Sequence, residues 1–312
     1  MKRILLTGSS GQIGTNLAFR LMEMGYEIFG VDKRANSWTD EIPLMMQDLS
    51  STYRTHANGI GNVDYGKIDL VVHLPANAKV HELVEHPERA FDNFMMTFNV
   101  IEYCRQNDIP LVFSSTREVY GDIKRYETNE EMASFSTTES PYSASKISSE
   151  AFIYSYSKCY GIKYMVFRFS NVYGRYDDDI DRMERVIPLF FNKIKNDEPI
   201  TVYGRDKVLD FTYVDDCVNG IARGVQRLLS GEVYNQTFNL AFGQGNPLYT
   251  VSDTFQEVLG KKADVTFEDA RVGEVTHYVA DISNARKLLG YDPQTSLKEG
   301  LKKAAEWYSR KK

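Results

Sequence analysis

The chain has 312 residues, of which 42% are hydrophobic, 26% charged and 12% aromatic, a composition that excludes disordered and fibrous proteins. Its 37 Lys and Arg residues against 43 Asp and Glu residues give a formal net charge of −6, so we expect neither nucleic acid nor membrane among its partners. The three cysteines are scattered, no signal segment opens the chain, and no apolar run reaches the ~20 residues of a membrane span. We therefore expect a cytoplasmic protein.

Short apolar runs alternate with amphipathic stretches through the first half of the chain. The runs predict β-strands at residues 2–6, 26–31, 68–74, 110–115 and 163–169, and the stretches predict helices at 12–24, 90–105 and 141–160. Strands that alternate with helices of this length are typical of βαβ units. The pattern predicts an α/β fold with a Rossmann-type, doubly wound parallel sheet.

The second half is less regular and predicts a smaller C-terminal α/β lobe packed on the first half. Helices are predicted at 185–196, 214–229, 251–259, 282–289 and 297–309, and strands at 200–203 and 237–240. The acidic run at 177–181 indicates a solvated loop rather than a cation site, because no other clustered ligand accompanies it. The five histidines show no metal-ligand spacing, so we expect no metal.

A glycine-rich turn follows the first predicted strand and opens the first predicted helix. Gly8, Gly11 and Gly14 have the GxxGxxG spacing, which permits a tight turn, the approach of a pyrophosphate and close packing of helix on strand. Asp32 ends the second strand, where it would bind the ribose diol of NAD and repel the 2′-phosphate of NADP. The alternative is an ordinary turn with a surface aspartate.

Tyr142 and Lys146 are four residues apart at the start of a predicted helix, and therefore lie on one face of it. An ammonium in that place lowers the pKa of the phenol from about 10 and makes it a general base for an alcohol proton. Thr116 ends a parallel strand, where polar groups face the ligand crevice, and can hold a substrate hydroxyl beside the tyrosine. Taken alone, such a Tyr–Lys pair is also common on protein surfaces.

The motifs occur in the order of a known family. The chain resembles the extended short-chain dehydrogenase/reductase family, in its nucleotide-sugar epimerase and dehydratase branch, over nearly its whole length. The likeness is carried by the glycine turn, Asp32, Asp48-Leu49, His73-Leu74, the 114–121 stretch (SSTREVYG), the Tyr142–Lys146 pair, the 171–174 stretch (NVYG), the 210–215 stretch (DFTYVD) and the 271–274 stretch (RVGE). It implies an NAD-binding Rossmann domain over residues 1–170, to which segments from about 205–245 return, and a nucleotide-sugar lobe mainly over 171–312.

The resemblance also implies roles for single residues. Tyr142 would be the base, tuned by Lys146, and Thr116 would hydrogen-bond the sugar O4. Leu209 stands where the family usually has a phosphate-binding Arg, so Arg205 or Lys207 would replace that charge. NAD would contact Gly8, Gly11, Gln12, Ile13, Gly14, Asp32, Asp48, Leu49, Leu74, Tyr142 and Lys146, with Asp48 and Leu49 flanking the adenine. The substrate would contact Asn171 and Arg271 through its diphosphate and Glu274 through its nucleoside ribose.

The two residues after Thr116 leave the reaction type open. Glu118 matches the base that removes a C5 proton in the family's dehydratases and decarboxylases, which favours a lyase. Arg117 cannot protonate a leaving hydroxyl, because an Arg pKa exceeds 12, and Tyr278 stands where the decarboxylases have a carboxylate-binding Arg. Arg117 would either bind the carboxylate of a uronic acid or form a salt bridge, to Glu118 or to a surface acid.

The expected activity is NAD-dependent epimerisation at C4 of a nucleoside-diphosphate sugar, a UDP-hexose or UDP-uronate, through a transient 4-keto intermediate. The alternatives are a dehydratase or decarboxylase that uses Glu118 at C5, and a net NAD-dependent oxidoreductase. A non-catalytic dinucleotide sensor is disfavoured because Tyr142 and Lys146 are both present. The helices at 90–105 and 143–160 would form a homodimer interface, as in many family members, or would pack within a monomer.

Overall fold

The computed structural model describes residues 1–51, 60, 63–121, 127–180 and 184–310. Residue 181, the last of the acidic run, lies outside this part of the chain. Among the described helices, none is both long and apolar enough to cross a membrane. Within the same residues, no group of three or more His, Cys, Asp or Glu side chains is placed to hold a metal ion.

A seven-stranded parallel sheet forms the centre of the molecule. In order across the sheet, its strands are β3 (Leu44–Met46), β2 (Glu27–Asp32), β1 (Arg3–Thr7), β4 (Leu70–His73), β5 (Leu111–Thr116), β6 (Tyr164–Phe169) and β10 (Gln236–Leu240). The chain runs from β1 outward to β3 and then returns to β4 on the other side of β1. This reversal of strand order opens a crevice at the carboxyl ends of the strands, and it confirms the predicted doubly wound fold.

Helices cover both faces of this sheet. On one face lie α1 (Gln12–Glu23) and α6 (Val214–Ser230), and on the other lie α3 (Glu88–Asn107) and α4 (Pro141–Tyr160). Successive side chains of a strand point to opposite faces, so Ile4 and Leu6 of β1 pack with the first layer and Leu5 packs with the second. In the described part of the chain the other α-helices are α2 (Val80–Glu85), α5 (Val186–Lys195), α7 (Tyr249–Leu259), α8 (Ser283–Leu289) and α9 (Leu297–Tyr308).

Two small sheets lie beyond the carboxyl edge of the large one. In the first, β9 (Val208–Tyr213) pairs with β7 (Asn171–Tyr173), β11 (Gly245–Pro247) and β13 (His277–Tyr278). In the second, β8 (Ile200–Tyr203) pairs with β12 (Val265–Glu268). Because β10 from the second half completes the large sheet beside β6, the two halves of the chain are interleaved. The exact limits of the two domains stay a prediction.

Every helix and strand predicted from the sequence is present, with ends that differ by at most two residues. Within the residues that the structure describes, the prediction missed α2 and six strands. Most of these strands have five residues or fewer and little room for a periodic pattern. The longest of them, β9, is buried along most of its length and contains Asp210, which interrupts its apolar pattern. The backbone N–H groups of Phe242 and Gly243 donate to that buried carboxylate at 3.0 and 2.9 Å.

Candidate active site

A cleft lies at the carboxyl edge of the large sheet, beyond the ends of the neighbouring strands β1 and β4, where the strand order reverses. Its volume is about 710 Å³, and its walls include the glycine turn, the ends of β2 and β5, the start of α4 and the 271–275 segment. Among the described residues that line it are nine Lys and Arg side chains and six Asp and Glu side chains, although the whole chain has a net charge of −6. This local excess of positive charge suits an anionic ligand.

The glycine turn brings the backbone of α1 to the wall of the cleft. Gly8 has a φ of +78°, and a side chain there would meet the backbone nitrogen of Pro75 at 2.8 Å. A Cβ atom on Gly14 would lie 2.1 Å from the carbonyl oxygen of Gly8, so only glycine lets the helix begin this close to the turn. Gly11, Gln12 and Ile13 line the cleft at the helix N-terminus, where backbone N–H groups and the helix dipole attract phosphate.

Asp32 lies at the end of β2, inside the same cleft. Its carboxylate accepts hydrogen bonds from the backbone N–H groups of Ser10 at 3.1 Å and Arg34 at 3.3 Å, and burial raises its pKa. The guanidinium of Arg34 lies 3.9 Å from Asp32 and 3.6 Å from Asp179. Because two carboxylates already neutralise this Arg, it is a poor partner for a 2′-phosphate.

The remaining residues expected at the cofactor line the same wall of the cleft: Asp48, Leu49 and Leu74. The side chain of Gln12 can still bond a polar group of a ligand beside the turn. Its Oε1 atom accepts a hydrogen bond from Arg185, whereas its Nε2 atom is buried without a partner among the described residues. A cradle that only glycine can form, an unpaired donor beside it and an acid at the end of β2 together fit NAD.

Tyr142 and Thr116 come together on the opposite wall. Pro141 begins α4, and reciprocal hydrogen bonds between Ser140 and Ser143 cap the helix, so Tyr142 is fixed in its first turn. Thr116, the last residue of β5, lies beside the Tyr142 phenol and favours its ionised form. Burial raises the pKa of Tyr142 to about 12, and the nearby charge of Glu118 acts in the same direction.

Lys146 lies one helical turn further along α4 and is also buried in the cleft wall. Its ammonium donates to the carbonyl oxygen of Ser114 at 2.9 Å and lies 4.9 Å from the centre of the Phe113 ring. Burial lowers the pKa of Lys146 to about 7. The expectation that this ammonium lowers the pKa of Tyr142 is wrong, because desolvation of the phenol dominates and raises its pKa.

Arg117 and Glu118 form an ion pair with 2.9 Å between the Arg117 Nη2 and Glu118 Oε1 atoms. Both line the cleft, and both side chains are close to nine-tenths buried. Glu118 also accepts a hydrogen bond from the backbone N–H of Val275, and burial raises its pKa. The salt bridge named as one alternative for Arg117 is thus present.

The side chains expected at the nucleotide sugar lie along the far half of the cleft. Asn171 donates to the carbonyl oxygen of Asp210 at 3.1 Å, and Arg271 lies 4.2 Å from the centre of the Tyr203 ring. Glu274 accepts a hydrogen bond from Lys207 at 2.8 Å, and both of these residues line the cleft. Arg205 does not: its guanidinium lies 5.1 Å from the centre of the Phe267 ring, outside the lining residues.

Sequence reasoning missed Arg185 as a residue of the cleft. Its guanidinium donates to Gln12 of the glycine turn and, at 2.6 Å, to Asp177. Arg185 and Gln12 are 173 residues apart in the chain, and Arg185 belongs to no motif that the resemblance covers. Only the folded chain brings it to the cofactor side of the cleft.

Comparison with known proteins agrees with this geometry and confirms the family resemblance seen in the motifs. Residues 4–241 match the model of the NAD-dependent epimerase/dehydratase family. UDP-glucuronate 4-epimerase of Thermodesulfobacterium geofontis is 30% identical, over 97% of this chain and 95% of that protein. Two solved UDP-glucose 4-epimerases each cover 98% of both chains at 26% identity: that of Thermotoga maritima with UDP-glucose, at a TM-score of 0.89, and that of Thermus thermophilus with NAD, at 0.88. The chain belongs to the NAD-dependent epimerase/dehydratase family, and NAD is its cofactor.

Proposed function

We propose that the protein catalyses NAD-dependent epimerisation at C4 of a nucleoside-diphosphate sugar, a UDP-hexose or a UDP-uronate, through a transient 4-keto sugar. The observation that carries the proposal is that Tyr142 and Thr116 lie side by side in the same cleft as the glycine turn and Asp32. In this proposal Tyr142 is the base and Thr116 binds the hydroxyl, beside the groups that would hold the nicotinamide dinucleotide. The likeness to UDP-sugar 4-epimerases supports this reaction type.

In this proposal Thr116 holds the C4 hydroxyl of the sugar against Tyr142, which accepts its proton and later returns it. The ammonium of Lys146 stabilises the tyrosinate as it forms. Formation of the tyrosinate in turn favours the charged lysine, since each charge stabilises the other. NAD, held at the glycine turn and Asp32, would supply reversible hydride chemistry at C4 and would not be consumed. Turning the keto sugar over before the hydride returns inverts C4.

The surroundings of Glu118 favour epimerisation over elimination. A C5 base needs a free carboxylate facing the sugar, whereas Glu118 is engaged by Arg117 and by the N–H of Val275. Arg117 also cannot act as the acid for a leaving group at C6. A lyase remains the second candidate because Glu118 does line the cleft.

The far half of the cleft supplies the proposed contacts to the nucleotide. Arg271 and Asn171 would bind the diphosphate, and Lys207 would provide the positive charge that Leu209 does not. Glu274, held by Lys207 at 2.8 Å, would accept hydrogen bonds from the nucleoside ribose. The excess of Lys and Arg among the lining residues supports an anionic substrate of this class.

We also propose a homodimer in which α3 and α4 form the interface. Phe91, Phe152, Tyr154 and Tyr160 are each at least 41% exposed on these two helices. The ring of Phe152 on α4 packs edge-on against the ring of Phe94 on α3, with 4.9 Å between the ring centres, so the aromatic surface is continuous between the two helices. An aromatic surface of this kind is typical of a protein interface.

Cys104, Cys159 and Cys217 are free thiols, which supports the expected cytoplasmic location.

The reaction is tested by incubating the purified protein with UDP-glucose, UDP-galactose, UDP-glucuronate and dTDP-glucose in D₂O and following the products by NMR. We expect interconversion of C4 epimers without added NAD and without deuterium at C5. Deuterium at C5 together with loss of the C6 hydroxyl or of carbon dioxide would replace the proposal with a lyase. An oxidised product that forms only in step with added NAD would indicate a net oxidoreductase.

A further inference from the structure

We propose that Arg117 binds an acidic group on the sugar, so that the enzyme prefers a nucleotide sugar with a carboxylate at C6, a uronic acid, over the neutral hexose. This inference rests on the proposed 4-epimerisation and deepens it by choosing between the two substrate classes. It is carried by the place of Arg117 in the cleft, by its unused hydrogen-bonding capacity and by the charges around it.

Arg117 is the residue next to the group proposed to hold the reacting hydroxyl. It directly follows Thr116 and opens a short 3-10 helix, Arg117–Tyr120, at the carboxyl end of β5. Its side chain lines the cleft and keeps 11% exposure, and its charge acts on Tyr142. In a hexose C5 joins C4 to C6, so a C6 carboxylate is close to the C4 hydroxyl that Thr116 would hold. The next side chain along the wall is the one placed to meet it.

The guanidinium has donors that the protein does not use. Its Nη2 atom bonds Glu118 at 2.9 Å, whereas its Nη1 atom is buried without a hydrogen-bond partner among the described residues. A buried donor without an acceptor is unfavourable, and a carboxylate is the acceptor whose geometry matches an Arg fork. The ring of Tyr278, whose centre is 6.0 Å from the guanidinium carbon, helps to hold the fork in place.

Other groups hold two further described cations near this end of the cleft, and one of them, Arg185, whose charge also acts on Tyr142, donates to Gln12 and Asp177. Lys207 is already paired with Glu274 at 2.8 Å. Glu118 shares its carboxylate between Arg117 and the N–H of Val275, and its burial favours the neutral acid. An Arg that only balanced Glu118 would not distinguish an acidic sugar from a neutral one. That difference between the two roles makes substrate selectivity the decisive measurement.

The test compares kcat/KM for UDP-glucuronate and UDP-glucose in the NAD-loaded wild-type enzyme, Arg117→Gln and Arg117→Lys. We expect the wild type to prefer UDP-glucuronate. In Arg117→Gln the preference should fall by a factor of ~10 to 100, the range for losing a charge-assisted hydrogen bond, mainly through a higher KM for the uronate. Arg117→Lys, which keeps the charge without the fork, should retain an intermediate preference. Arg227→Gln, which breaks a surface pair with Glu232, is the matched control.

Two results would overturn the inference: a wild type that prefers UDP-glucose, or an Arg117→Gln variant that loses activity on both sugars equally. If the variant fails to fold, as judged by circular dichroism, the salt dependence of KM in the wild type decides. KM should rise more steeply with ionic strength for the uronate than for the hexose, because only the uronate carries the additional charge. Epimerisation of UDP-glucose without any action on UDP-glucuronate would refute the role of Arg117 and leave the proposed reaction standing, whereas failure to epimerise any nucleotide sugar would refute the reaction itself.

Discussion

Burial governs the ionisation of the proposed catalytic residues. Tyr142 is 8% exposed and Lys146 is 3% exposed, and desolvation favours the neutral form of each side chain. It raises the pKa of Tyr142 to about 12 and lowers the pKa of Lys146 to about 7. Burial therefore disfavours the charged form of both side chains. In the proposed reaction, charge would develop on Tyr142 and Lys146 together, and each charge would stabilise the other.

Replacing Tyr142 by Phe removes the proton acceptor and keeps the ring. We expect kcat to fall by a factor of ~10² or more, the usual contribution of a positioned acid–base group, with a much smaller change in substrate affinity. Steady-state kinetics and calorimetric binding of the nucleotide sugar separate the two effects. Tyr154→Phe, on an exposed side chain of the same helix, is the control and should match the wild type. Turnover near the wild-type rate in Tyr142→Phe would exclude this residue as the base.

At the scale of elements, the cleft depends on how closely α1 approaches the turn that precedes it. No side chain caps the helix at Gly11, so its N-terminal N–H groups stay available to a ligand. The carbonyl oxygen of Gly8 occupies the space that a Cβ on Gly14 would need. The same contact therefore determines both the packing of α1 on the sheet and the shape of the phosphate-binding turn.

Gly14→Ala should shift α1 away from the turn. We expect a loss of roughly 1–3 kcal/mol in the free energy of unfolding, the range for overpacking, together with weaker NAD binding. Chemical denaturation and fluorescence titration with NADH measure the two quantities. Gly11→Ala is the matched variant, because its Cβ would meet its nearest neighbour at 3.4 Å and should affect stability far less. Equal unfolding free energies for Gly14→Ala and the wild type would show that the helix start tolerates a side chain.

At the scale of the whole molecule, the interleaving of the two halves forms the cleft. Residues of the second half supply β10 of the large sheet, the Lys207–Glu274 pair and Arg185 beside the glycine turn. The aromatic surface of α3 and α4 is on the face of the sheet opposite α1 and α6. A partner bound to that surface would leave the second half of the chain free to surround the substrate.

The homodimer is tested by placing a charge in that surface. Phe152→Glu should convert the dimer expected for the wild type into a monomer, because a carboxylate would have to be desolvated in the interface. Light scattering coupled to size-exclusion chromatography reports the mass, and circular dichroism checks that the fold is kept. Phe135→Glu, on a side chain that is 84% exposed and not on these helices, should remain dimeric. A wild-type mass of one chain would refute the interface.

Sequence periodicity and motif spacing were enough for the large elements and for most of the candidate residues that line the cleft, although Arg205 lies outside it and Arg185 was missed. Strands such as β1 are apolar along most of their length, and helices such as α4 begin with a recognisable capping sequence. Both kinds of element are present in the structure. The GxxGxxG turn and the Tyr142–Lys146 pair are local in sequence, so their geometry could be inferred from spacing alone. Short strands such as β7 and β13 could not be predicted from the sequence, because they form only through their pairing with β9.

The amino-acid sequence by itself determined the alternating α/β order, the glycine turn and the family, because each is carried by short motifs whose residues are neighbours along the chain. Only the tertiary structure decided which cations enter the cleft, with Lys207 and Arg185 lining it and Arg205 outside it. It also decided that burial raises the pKa of Tyr142 and that Glu118 is paired with Arg117. Desolvation and ion pairing depend on all the groups that surround a side chain, and those groups come from distant parts of the chain.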